Sequence, residues 1–125
     1  MYTKGFQHYK EQSIDTMTPA ELLLTLYDEL VKRLTRAELA LGQNQFELFE
    51  QSVDRSADII RYLNDTLDRQ YPISSNLARL YEYFDYELIR VKIGRNQTEL
   101  ERVKRMVSEL RDSFRTAAQS DSAGK

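Results

Sequence analysis

The chain predicts an all-α fold, an elongated antiparallel up-down-up-down four-helix bundle with a short N-terminal helical or extended cap segment. Three observations carry this: apolar residues recur at helical spacing in four long stretches, cap signals open three of them (Thr18, Asn44, Asn96), and glycine or proline stands at each break. With four glycines and two prolines in 125 residues, that placement is punctuation rather than scatter.

The first helix starts at Thr18-Pro19-Ala20-Glu21. Thr18 caps, Pro19 suits the first helical position because its missing N–H would have had no partner there, and Glu21 completes a capping box. Leu22, Leu23, Leu26, Leu30, Leu34, Ala37 and Leu41 form the core stripe, and Leu24 and Val31 widen the apolar arc to an edge at Tyr27. Such a helix needs partners to be stable. Gly42 is its stop signal, and Asn44 with Glu47 is the next start. The second helix is expected over about 45–70, with Phe46, Phe49, Val53, Ala57, Ile60, Leu63 and Leu67 inward; Tyr71-Pro72-Ile73 breaks it. The third, about 76–93, buries Leu77, Leu80, Tyr81, Phe84, Leu88 and Val91 before Gly94. The fourth opens on Asn96 with Glu99 and carries Leu100, Val103, Val107, Leu110, Phe114 and Ala117. Three units result: a cap segment over 1–17, a bundle over 18–118, and a Ser-, Asp- and Gly-containing tail over 119–125 that is expected to be disordered. Helices of about 24 residues extend on the order of 36 Å, so the bundle is a rod.

Composition removes whole classes of function. Without cysteine, thiol chemistry, thiolate zinc sites and disulfides are excluded, and a cytoplasmic location is favoured. Eighteen basic and twenty acidic residues are interleaved at a net charge of −2, which argues against a nucleic-acid partner. No apolar run approaches the roughly 20 residues of a membrane span, so no membrane insertion is expected, and no leader pattern is present. His8 is the only histidine, and the paired Glu-x-x-His motifs of di-iron bundles are missing. Asp28-Glu29 and the group Glu82, Asp85 and Glu87 could be imagined as acid/base partners or ligands, but are expected on solvated helix surface. Arg90, Lys92, Arg95, Lys104 and Arg105 are ordinary solubilising charge beside interleaved acids. No catalytic residue, metal ligand or cofactor site is assigned.

The faces turned away from the core are more informative. Helix four is one-sided, but Leu48, Ile59 and Tyr62 on helix two, and Tyr83, Tyr86, Ile89 and Ile93 on helix three, project off their core stripes. Isolated surface apolar residues are ordinary, and tyrosine tolerates exposure because its hydroxyl stays wet. The alternative is one contiguous tyrosine-lined groove for a helical or extended segment of a partner. In the cap segment Tyr2, Phe6 and Tyr9 fall at i, i+4 and i+7, an amphipathic piece ahead of the polar stretch Lys10 to Ser13.

Several of these motifs, in this order, resemble the flagellin export chaperones of the FliS family. Tyr9-Lys10-Glu11-Gln12-Ser13-Ile14, then Thr18-Pro19-Ala20-Glu21-Leu22 and Leu26-Tyr27-Asp28, resemble its opening. Arg55, Ala57, Ile59, Ile60, Leu63, Leu67 and Asp68 resemble its second helix, Asn76-Leu77 with Leu80-Tyr81-x-Tyr83 its third, and Leu110-Arg111-Asp112 its closing motif. Glu29 stands where the family often has glycine, and Phe114 where tryptophan is common. The resemblance covers about residues 9–115 and implies a non-enzymatic cytoplasmic chaperone. Such a protein binds the disordered C-terminal region of flagellin, blocks premature polymerisation and keeps its client ready for type III export. It also implies that the chaperone's own N-terminal segment covers an apolar pocket when flagellin is absent, a role for Tyr2, Phe6 and Tyr9 here. Direct contact with an export-gate component stays open. A non-catalytic helical adaptor or regulator using the same apolar surface is the competing reading, and a bundle-type enzyme the weaker one.

Overall fold

A computed structural model describes residues 16–123. The chain forms α1 (Pro19–Gly42), α2 (Phe46–Asp65), α3 (Ile73–Gly94) and α4 (Gln97–Ala123). Each helix packs against its neighbour in sequence, and α4 closes against α1. Cross-helix ion pairs show the antiparallel order. Glu38 meets Lys104 and Asp28 meets Arg115 between α1 and α4, while Asp54 meets Lys92 and Arg61 meets Asp85 between α2 and α3. This is the up-down-up-down bundle.

Local chemistry sets the ends. The Thr18 hydroxyl accepts the Glu21 N–H at 3.1 Å and donates to the Glu21 carboxylate at 3.0 Å, so the predicted N-cap forms, with Glu21 reaching back to the hydroxyl rather than to the Thr18 N–H that a full capping box engages. Asn96 likewise accepts from the Glu99 N–H at 3.1 Å. Asn44 does not cap α2. It takes the left-handed backbone at φ 58° in a tight turn that lets the Gln45 N–H reach the Ala40 carbonyl at 2.8 Å, and Gln45 occupies the cap position. Neither Gly42 nor Gly94 has positive φ; beyond α3 it is Arg95, at φ 51°, whose guanidinium lies 3.6 Å from the centre of the Phe46 ring.

Three boundaries differ from expectation. α2 ends at Asp65 rather than near 70, because the Thr66 hydroxyl bonds back to the Tyr62 and Leu63 carbonyls and Asp68 accepts the Gln70 N–H in a turn. α3 begins at Ile73, immediately after Pro72, which itself has helical dihedrals. α4 continues to Ala123, past the expected boundary at 118: no glycine or proline intervenes before Gly124, and adding a residue to an existing helix is easy compared with starting one. The cap segment lies outside the described residues, apart from its last two positions.

The core contains the expected stripe residues Leu30, Leu34, Phe49, Ile60, Phe84, Leu88, Val91, Leu100, Val103 and Val107, all nearly or fully buried. Each such side chain contributes about 1.5–3 kcal/mol on removal from water. Tyr27, expected at the edge of its arc, is instead completely buried. Leu22, Leu23 and Leu26, expected inside, are half-buried, because they stand at the end of the rod where the other helices no longer cover them. Ala117 is exposed for the same reason.

Candidate functional site

The bundle's antiparallel order brings the start of α1, the end of α2, the start of α3 and the end of α4 together at one end. They enclose an open cavity of about 400 Å³. Leu22, Leu23 and Leu26 form one wall, Leu63 and Leu67 another, and Leu77, Tyr81 and Phe114 the rest; Pro19, Tyr62, Thr66 and Asp68 also line it. Behind this lining the Tyr27 ring packs on Phe114 with centroids 5.5 Å apart, and the Tyr27 and Tyr81 hydroxyls hydrogen-bond to each other. Burial raises both phenols above the ordinary tyrosine range, so both remain protonated.

A second cleft of about 570 Å³ runs between α2 and α3. Val53, Ala57, Leu88, Ile89 and Ile93 give it apolar surface, and Lys92 with Asp54, at 3.0 Å, bridges the two helices beside it. Arg61 and Arg95 add positive charge and Glu50 negative. Cleft geometry of this kind accepts the apolar face of an amphipathic segment.

The predicted site residues do not line one common groove. Ile89 and Ile93 line the α2–α3 cleft, Ile93 being 81% exposed, whereas Tyr62 lines the end cavity. Leu48 borders a separate shallow hollow with Phe46. Ile59 is half-buried against the core. Tyr83 is also half-buried, its ring 5.9 Å from Phe84, and its hydroxyl, near the Arg102 guanidinium, raises that group above its usual range. Tyr86 stands on the outer face of α3 with the Arg90 guanidinium 6.0 Å from its ring centre. Tyr2, Phe6 and Tyr9 lie outside the described residues.

Helical periodicity assigns the end-cavity walls to the core, and it passes over exposed Leu39, Tyr71 and Ile73. The available signal is position: Leu22 and Leu23 sit in the opening turns of α1, and Tyr71 and Ile73 flank the loop proline. Among the described residues no three His, Cys, Asp or Glu side chains gather closely enough to hold a metal ion, and no helix is long and apolar enough to cross a membrane.

A rod of four helices with an apolar cavity at one end and a cleft along its side defines a helical-bundle protein with two candidate surfaces for an apolar segment. Comparison with known proteins sharpens this. The family model described as "Flagellar protein FliS" matches residues 2–121, and the chain belongs to that family of flagellar secretion chaperones. It is 30% identical over 113 residues to the flagellar secretion chaperone FliS of Bacillus subtilis (strain 168), covering 90% of this chain and 85% of the relative. It is 25% identical over 123 residues to the protein of the same name from Salmonella typhimurium, covering 92% and 91%. A solved structure described as a flagellar chaperone from bacteria shares the fold at a TM-score of 0.77 and 16% identity, covering 96% of this chain and 99% of the other.

Proposed function

We propose that this chain is a cytoplasmic export chaperone that binds the disordered C-terminal region of flagellin, prevents its premature polymerisation and keeps it competent for flagellar type III export. The observation that carries the proposal is the open, largely apolar cavity at the bundle end, with the α2–α3 cleft as a further contact surface. A disordered client that folds on binding can thread both, burying a large area at the cost of its ordering entropy. Holding of this kind needs no catalytic step. Ile89, Ile93 and Tyr62 are the partner-binding residues best placed for it, with Tyr86 and Leu48 on adjoining exposed faces.

The N-terminal segment acts as the client's intramolecular competitor. It enters α1 at Thr18, and the next residue, Pro19, lines the cavity, so Tyr9 is tethered within about 30 Å of the opening at ~3.3 Å per extended residue. Tyr2, Phe6 and Tyr9 supply the apolar face.

Titration calorimetry with flagellin's C-terminal segment tests the binding reading, and turbidity of flagellin with and without the chaperone tests the holding role. Absence of binding and unchanged polymerisation would leave the adaptor reading in its place.

A further inference from the structure

Tyr27 and Tyr81 are buried to within 2% of complete, and their hydroxyl oxygens are 2.5 Å apart. In such a pair one hydroxyl donates and the other accepts, and the accepting hydroxyl keeps a hydrogen of its own. Among the described residues neither hydroxyl has a second partner. A buried donor without an acceptor is unfavourable, and phenylalanine at either position would fill nearly the same volume without that penalty. Only Tyr81 of the two lines the end cavity, so the spare hydrogen can be satisfied from the cavity side through Tyr81.

We propose that the Tyr27–Tyr81 hydroxyl pair is a hydrogen-bond donor presented to the bound client, with Tyr27 donating to Tyr81 and Tyr81 donating to a carbonyl oxygen of the client segment. This rests on the reading of the end cavity as a client site. Leu22, Leu23, Leu26, Leu67 and Phe114 supply shape but no hydrogen-bond donor, and of the polar lining residues Thr66 already gives its hydroxyl hydrogen to backbone carbonyls and Asp68 is an acceptor. A neutral carbonyl, from a backbone peptide or a carboxamide, fits better than a carboxylate. The apolar walls penalise charge, and Asp68 on the lining repels an anion. In the free protein solvent in the cavity meets the donor, and the client's carbonyl replaces it. Burial holds both phenols above their ordinary titration range, so the donor is protonated at neutral pH.

The test is calorimetric titration of flagellin's C-terminal segment into the full-length chain and into Tyr27→Phe, Tyr81→Phe and the double variant. The double variant removes both partners and keeps the shape, so its thermal transition should stay near that of the unmodified chain. It should nevertheless bind about fivefold more weakly, the worth of one hydrogen bond. Tyr81→Phe should show the same loss, while Tyr27→Phe, which leaves the Tyr81 donor in place, should bind within about twofold of the unmodified chain. Equal losses in the two single variants, or unchanged or tighter binding in the double variant, overturns the inference while leaving the chaperone reading intact. No binding to the unmodified chain overturns both.

Discussion

Arg115 on α4 holds both carboxylate oxygens of Asp28 on α1, at 2.8 and 3.0 Å. Their sequence neighbours Phe114 and Tyr27 make the ring contact that backs the end cavity, so a polar clasp outside and an aromatic contact inside join the same two helices at the same level. Arg111 adds a longer contact to Asp28 at 3.8 Å.

That clasp is half-exposed, and the first prediction follows from this. In a double-mutant cycle with Asp28→Asn and Arg115→Gln, the coupling in thermal or denaturant unfolding should be no more than about 1 kcal/mol and should shrink as salt is raised. Both contacts come from the single nitrogen Nη2 rather than from the two-nitrogen fork that strengthens such pairs, which favours the lower part of that range. A coupling several times larger would mean that the pair, rather than the Tyr27–Phe114 contact, fastens α4 to α1.

The second prediction concerns the two helix-terminal glycines. Gly42 and Gly94 both have ordinary negative φ, and a Cβ added to either would meet nothing within 4 Å. Gly42→Ala and Gly94→Ala should therefore each stabilise the bundle, by about 0.5 kcal/mol, by reducing the freedom of the unfolded chain. At Arg95 the balance differs. Arg95→Ala keeps the left-handed backbone but takes the guanidinium away from the Phe46 ring, and should destabilise by about 1 kcal/mol. Urea unfolding at constant m-value measures all three, and reduced stability in the glycine variants would show that these positions need the freedom they do not use in the structure.

The same positions show what was legible in the sequence. Thr18 with Glu21 and Asn96 with Glu99 could be assigned because each cap bond joins residues three apart and needs no tertiary information. Gly42 and Gly94 correctly mark the breaks, but not which residue turns left-handed; that depends on how Gln45 has to reach back to Ala40 and on Phe46 being available to Arg95. Tyr27 follows the helical spacing of Leu30 and Leu34, yet its hydroxyl argues for an edge. Only Tyr81, on another helix, supplies the partner that permits full burial. Helical period tells which face turns inward but not where along the rod the facing helices stop. Leu22 and Leu23 are therefore legible as apolar and illegible as cavity wall. Among the off-stripe residues, exposure was legible for Tyr62, Tyr86, Ile89 and Ile93, while a common groove was not, since that depends on how each helix is rotated against its neighbours.

The third prediction separates the two clefts. Ile89 is 49% exposed and Ile93 more so, so Asp at both positions places charge in the α2–α3 cleft without entering the core. The double variant Ile89→Asp/Ile93→Asp should retain its thermal transition and bind flagellin's C-terminal segment at least about tenfold more weakly. The apolar surface that the client no longer covers is worth ~25 cal/mol per Å², and two carboxylates must be desolvated as well. Unchanged affinity with an intact transition would exclude this cleft as a client contact. Tyr62→Ala, at the end cavity, should then carry the larger loss.

The fourth prediction concerns residues 1–15. If that segment occupies the end cavity in the free chaperone, only molecules with the segment released can bind, and apparent affinity falls by the released fraction. A cap closed in about 90% of molecules makes deletion of residues 2–15 tighten client binding by about tenfold. The same deletion uncovers Leu22, Leu23 and Leu67, so the truncated free protein should bind more of an environment-sensitive apolar dye and aggregate more readily, while the dye signal of the client complex stays unchanged. The two readouts constrain each other. A segment that merely shields the cavity without competing gives extra dye binding at constant affinity, and one that also clasps the client gives extra dye binding with weakened affinity. Unchanged dye binding and unchanged affinity together would remove Tyr2, Phe6 and Tyr9 from the cavity altogether, and the helical spacing of those three side chains would then serve some other contact.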